Sequence, residues 1–257
     1  MNKKKSKIIH SLIFIFSIFL FFFLWLILSL KIDYDFILPS PFLVFKTLAQ
    51  LLITKDFWIN LAYSFLRIVF AFIISISAGF FLGIICGKNT YINTFLKFPI
   101  ALMRICPVIS IILIVMFWSS SNTVPIIVAV LMTLPIMFSS ISKTYSHKDE
   151  KLYDLAMIYN FNFFKKLYYI DLPMILPSFL TGSVSVFGMT WKVIVAGEVL
   201  SLPKKGLGTI LQFNSINMET SKVFAITMVV LIISFSLEQL FIYLVNKRIN
   251  NNDSSDR

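Results

Sequence analysis

The sequence predicts an all-α, polytopic membrane protein with about six transmembrane helices and both termini cytoplasmic, the whole of 1–257 forming one transmembrane domain. Composition is the first reason. Of 257 residues, 58% are hydrophobic and only 14% charged, with a mean hydropathy of +0.87, more apolar surface than a soluble core can hide. Long apolar runs separated by short polar segments are the second. The third is where the basic residues fall. Lys3, Lys4, Lys5, Lys7, Lys88, Lys97, Arg104, Lys143, Lys148, Lys151, Lys165, Lys166, Lys247, Arg248 and Arg257 all lie on one side of the membrane in this topology, 15 of the 23 Lys and Arg. Cytoplasmic loops collect such residues. The net charge of +11 therefore reports membrane orientation, and a nucleic-acid partner is not expected.

The first span, about 8–30, follows the Lys-rich start. It is too long for a signal-peptide core, lacks a small-x-small cleavage site, and is expected as a retained, lipid-facing helix. Leu38-Pro39-Ser40-Pro41 is rigid and extended, because a residue before proline is pushed out of the helical region. Phe42 to Ile53 then reads as a short amphipathic surface helix. The second span, about 58–87, exceeds the roughly 20 residues a bilayer requires. Arg67 lies in its early part, where it snorkels or pairs. Ala71, Ser75, Gly79, Gly83 and Gly87 form a ladder of small residues at intervals of four, a surface on which another helix can approach closely.

The third span is expected at about 98–118, with Arg104 and Pro107 near its start. The fourth, about 123–142, tolerates Pro125 in its first turn and is kinked by Pro135. The fifth, about 174–200, is the most polar. It carries Thr181, Gly182, Ser183, Ser185, Gly188, Lys192 and Glu198, a composition that suits a pathway-lining helix or tight packing. Lys192 and Glu198 are about 9 Å apart along the axis and on different faces. The sixth, about 222–245, holds Glu238. Cys86 and Cys106 have no metal-ligand spacing and read as packing residues.

Between the fourth and fifth spans lies one of the few long polar-bearing segments, 152–173. Leu152, Leu155, Ala156 and Tyr159 make a helical stripe. Asn160 follows it, one of the few residues that enters the left-handed region cheaply. Phe161, Phe164, Leu167 and Tyr168 form a second stripe, expected on a second short helix, and Pro173 ends that helix or opens the next. A helix–turn–helix between spans is a docking element for a soluble partner.

This segment resembles the cytoplasmic coupling motif of ABC-importer permeases: Glu-Ala-Ala, three residues, Gly, nine residues, Ile-x-Leu-Pro. Asp154, Leu155 and Ala156 occupy the first three places, Asn160 the Gly place, and Ile170, Leu172 and Pro173 the end, without a gap. Asp for Glu and Asn for Gly are mild departures, while Leu155 adds bulk to the docking surface. Leu38-Pro39-Ser40-Pro41, Met103 to Pro107, and Glu198 followed by Gly206-Leu207-Gly208 are similar to the nitrate, sulfonate and taurine branch of these binding-protein-dependent inner-membrane components. The resemblance covers roughly Leu38 to Glu238.

It implies the permease subunit of an ATP-driven importer in a bacterial cytoplasmic membrane. ATP and Mg would be bound by a separate ATPase docked on Asp154, Leu155, Ala156, Asn160, Ile170, Leu172 and Pro173. An extracytoplasmic binding protein would deliver a sulfonate-, nitrate-, bicarbonate- or thiamine-precursor-like solute, and a second copy of the chain would complete the pathway. Arg104, Lys192 and Glu198 are the pathway candidates. The chain has no phosphate-binding G-x-x-x-x-G-K-[ST] loop and no nucleophile–base pair, so no catalysis and no cofactor of its own is expected. The rival is an ion-coupled secondary transporter, for which Glu238 would be the membrane carboxylate.

Overall fold

The structure is a computed structural model that describes residues 3–148 and 150–255; of the residues counted above for charge, Arg257 lies outside them. The described residues are helical, without a strand. In order they form α1 (Lys3–Ile32), α2 (Pro41–Ile53), α3 (Lys55–Lys88), α4 (Thr90–Ile105), α5 (Val108–Met116), α6 (Val124–Ser146), α7 (Glu150–Ile158), α8 (Phe163–Lys166), α9 (Leu172–Ser201), α10 (Leu207–Ile216) and α11 (Thr220–Ser255). Among them five stretches are long and apolar enough to cross a membrane: Ile15–Ile32, Lys55–Lys88, Val124–Ser146, Phe164–Ser201 and Thr220–Val245.

The expected third span is broken. α4 and α5 meet at an angle of 100°, so 98–118 is a bent pair, and the total reaches six only when that pair counts as one crossing. The cause is local. Cys106, before Pro107, sits at φ −60°, ψ 129°, and Pro107 at φ −60°, ψ 135°. Two successive extended residues end one helix before the next begins.

The chain divides into two compact units. The first comprises residues 1–58 and 210–231. Here Ser40 caps α2 by accepting the Leu43 N–H, and Pro41 takes the first helical position, where its missing N–H costs nothing. Trp25 donates its indole N–H to the Pro39 carbonyl at 3.1 Å, and Ser29 donates to Leu38 at 3.2 Å, tying α1 to the proline-rich turn.

The second unit, 59–209 and 232–257, contains the candidate site. Its centre is α6, half of whose residues are buried. The small-residue ladder of α3 lies against α6 in parallel, step for step. Ser75 accepts a hydrogen bond from Thr133 at 2.7 Å. A Cβ added at Gly79, Gly83 or Gly87 would come within 2.7, 2.7 and 2.4 Å of the Cβ of Met137, Ile141 and Tyr145. Each partner is 58 residues further on, and both ladders advance by four, so two rows of the same pitch run along one another. On the other side α9 closes the core: Trp191, Val193 and Ile194 pack with Ile68, Ile112 and Val128, and Ile175 and Val186 with Met137 and Ile141.

Candidate functional site

The 152–173 segment is a helix, a left-handed turn, and a return into the fifth span. α7 stops as the residue types dictate. Asn160 takes φ 49°, its N–H bonds the Met157 carbonyl at 3.0 Å, and the Phe161 N–H reaches back to Ala156 at 2.8 Å. That pair of bonds is a Schellman ending. Phe161 then packs edge-on to Tyr169, ring centroids 6.2 Å apart.

The second short helix is not separate. α8 runs through a π turn, Leu167–Asp171, directly into α9. The π register widens the backbone just before Pro173: the Leu172 N–H bonds the Leu167 carbonyl, five residues back. Pro173 lacks an N–H and would crowd the Tyr169 carbonyl in a regular α-helix. The widened turn carries the helix past it, and Pro173 falls in the first turn of α9.

α7 is held by a residue that its apolar stripe does not include. Tyr153 (8% exposed) and Ala156 (5%) face inward, while Leu152, Leu155, Met157, Ile158 and Tyr159 are exposed. The Tyr153 hydroxyl donates to buried Asp171. Tyr145, at the end of α6, joins through a further hydrogen bond with Tyr153. Lys166 and Lys148 lie over the Tyr153 ring at 4.2 and 4.8 Å, within cation–π range. Burial first, then the bond to Asp171, pushes the Tyr153 hydroxyl well above the ordinary tyrosine range. Of the motif residues, Asp154, Leu155, Asn160, Leu172 and Pro173 are exposed, Ile170 is half-buried and Ala156 buried. A rigid stem thus presents an apolar outer face.

The opposite end of α9 is a closed polar knot. Glu198 is fully buried. It pairs with Arg67 Nη1 at 2.6 Å, accepts from Ser64 Oγ at 2.7 and 2.8 Å, and accepts the Gly208 N–H at 2.9 Å. Arg67 also donates to the Lys205 carbonyl at 2.7 Å, and Asn60 accepts the Gly206 N–H at 2.8 Å. Gly-Leu-Gly follows from this packing: a Cβ on Gly206 would lie 2.6 Å from Glu198 Cδ, and one on Gly208 would lie 2.5 Å from the Val195 carbonyl oxygen. Glu198 thus has its charge satisfied inside the fold.

Arg104 is exposed and donates to the carbonyl of Pro135, the proline inside α6, at 2.9 Å. With Asn93, Lys97 and Ser139 it lines a cavity of about 350 Å³. Lys192 is exposed on α9 and shares one face with exposed Thr181, Ser185 and Ala196. A charge at this depth costs roughly 2.5–3.5 kcal/mol against lipid, so the face calls for water or protein. Arg67–Glu198, 131 residues apart, and Tyr153–Asp171 escaped sequence reasoning. Arg67 and Glu198 were each singled out, but not as partners, and Tyr153 and Asp171 stand next to the motif residues Asp154, Ile170 and Leu172.

Several apolar helices long enough to cross a bilayer define a multi-pass membrane protein. The family described as binding-protein-dependent transport system inner membrane component matches residues 79–251, and the chain belongs to it. It is similar to SsuC of Bacillus subtilis (strain 168), provisionally named an aliphatic sulfonates transport permease protein, with 23% identity over 74% of this chain and 68% of that one. It is also similar to the taurine transport system permease protein TauC of Escherichia coli (strain K12), with 26% identity over 78% and 75%. The recognition of an ABC-importer permease of this branch stands, as does a multi-pass place in the bacterial inner membrane. Members are membrane subunits of transporters, not enzymes.

Proposed function

We propose that the chain is the pathway-forming subunit of an ATP-driven importer for a small sulfonate-like solute. A separate ATPase, which binds ATP and Mg, docks on the 152–173 loop at the cytoplasmic face. A binding protein on the far side delivers the solute, and two copies of the chain enclose the route, with the exposed polar face of α9 turned toward it. The observation that carries this reading is the coupling loop. Leu152, Leu155, Ile158 and Tyr159 are held outward by a stem whose ring, hydroxyl and end cap are all fixed. A fixed, exposed apolar face marks an interaction site. The stem also explains transmission. A partner that binds two states unequally shifts their balance, and its force on α7 passes through Tyr153 and Asp171 into α9, and through Tyr145 into α6.

The test is recovery of an ATPase with tagged protein from native membranes. Wild type is expected to retain one. Leu155→Glu, which changes only the outer face, and Asn160→Pro, which cannot adopt φ 49°, are expected to lose it while remaining in the membrane. Equal recovery with all three chains would sink the docking assignment. No ATPase with any of them would favour the ion-coupled transporter.

A further inference from the structure

α4 presents two surfaces side by side, one cationic and one apolar. Lys97 and Arg104 are two turns apart on one face, about 10 Å along the axis. With half-buried Asn93 and Ser139 they line the cavity of about 350 Å³ between α4 and α6. Beside it Tyr91, Phe95, Phe98, Leu102 and Ile105 are exposed at alternating intervals of four and three, a continuous apolar stripe. The surrounding helices supply no counter-ion. No Asp or Glu occurs between Asp56 and Asp149, a stretch that holds nearly all of α3 and the whole of α4, α5 and α6. Lys97 and Arg104 form no ion pair among the described residues. Arg104 gives Nη2 to the Pro135 carbonyl, and the rest of its five-donor fork is left to receive an oxyanion. Lys88, just before α4, and Lys143, one turn beyond Ser139, add positive charge at this end. The cavity lies off the α9 side of the bundle. α4 packs on α6 through Ile100 and Phe138, whereas α9 packs on it through Met137 and Ile141, a different face of that helix.

We propose that this cavity holds the phosphate of an anionic phospholipid, with Lys97 and Arg104 on its oxygens and the acyl chains along Phe98, Leu102 and Ile105. Basic pockets between membrane helices take anionic headgroups, and the Asn93 amide adds a neutral donor. A zwitterionic lipid would bring a third cation to a place that already has two. A soluble phosphate would match the charge and leave the stripe uncovered. An anion joined to hydrocarbon chains serves both surfaces at once. Arg104 then holds lipid rather than solute.

The experiment titrates the full-length chain, purified in a neutral detergent, with phosphatidylglycerol or phosphatidylcholine of the same acyl chains. Bound lipid is counted by native mass spectrometry. Wild type is expected to bind phosphatidylglycerol about tenfold or more tightly. Each cation near a membrane surface is worth about fivefold in affinity for anionic lipid. Lys97→Gln should lose that factor, and Lys97→Gln with Arg104→Gln about twentyfold or more, while phosphatidylcholine stays within about twofold. Lys97 is exposed and makes no side-chain bond among the described residues, so its variant keeps the test open even where the Arg104 variant misfolds. Lys46→Gln removes an equal charge from exposed α2 and should change nothing. Equal affinity for the two lipids in wild type overturns the site, as does a loss in Lys46→Gln as large as that in Lys97→Gln. Excess glycerol 3-phosphate, the headgroup charge without chains, is expected to leave the lipid bound; displacement would overturn the lipid assignment in favour of a soluble phosphate. No arm uses the ATPase, so the result is independent of the importer reading.

Discussion

At one end of α9, Glu198 is surrounded by a guanidinium, a serine hydroxyl and a glycine N–H. At the other, Asp171 is also buried, but its partners are two neutral tyrosine hydroxyls, those of Tyr153 and Tyr145, which also bond each other. Both ties fix a helix end through a carboxylate, with different tolerance for movement. The first joins α3, α9 and the start of α10 through several charged and neutral bonds that must break together. The second reaches the short helix α7 through one side chain, Tyr153, with Tyr145 of α6 beside it. Leu202, next to the first, takes φ 48°, a conformation that surrounding structure must impose. The α7 end has a π turn, a form often found at functional sites. One end is tied by a charged network, the other by tyrosine hydroxyls on a carboxylate.

The largest test of that contrast is Glu198→Leu. It leaves Arg67 buried and unpaired, and is expected to cost about 3–5 kcal/mol, read as thermal unfolding of the detergent-solubilised protein. Replacing both partners, Glu198→Leu with Arg67→Leu, should recover much of the loss. If the single and double variants melt together, the knot is not governed by charge pairing. Tyr153→Phe should act less strongly and only locally. Asp171 loses one of its two hydroxyl partners, at about 1–3 kcal/mol, and hydrogen exchange should rise in α7 while the Glu198 end stays protected.

The tyrosine also gives the contrast a pH signature. Its hydroxyl is raised above the ordinary value near 10, so the folded loop holds a proton that the unfolded chain releases. That contribution is complete below pH 10 and declines as pH rises toward the folded value. Wild-type α7 should therefore open progressively in alkali, and Tyr153→Phe should flatten the dependence; a profile identical in both would assign the sensitivity elsewhere. Smallest of all, Asn160→Gly should change stability by only a few tenths of a kcal/mol, whereas Asn160→Ala should cost about 1 kcal/mol. Equal thermal shifts would mean that the turn does not need its left-handed residue.

Features governed by one short stretch were legible in the sequence. Asn160 was readable because few residues tolerate its backbone, and the α3 ladder because its spacing of four is a packing surface whatever its partner. The break at Cys106–Pro107 was visible as a proline, but hydropathy continues smoothly across it, so the span read as unbroken. The two carboxylate ties were not legible. No local pattern joins Arg67 to Glu198, and Tyr153 looks like one more aromatic until Asp171 is placed beside its hydroxyl.

The parallel ladder of α3 and α6 has a consequence for how the chain is made. Ser75 leaves the ribosome 58 residues before its partner Thr133. At synthesis rates of about 5–20 residues per second, the groove of Gly79, Gly83 and Gly87 waits several seconds in the bilayer with lipid chains where Met137, Ile141 and Tyr145 will lie. Assembly of the central pair is then an exchange of lipid for a ridge of matching pitch.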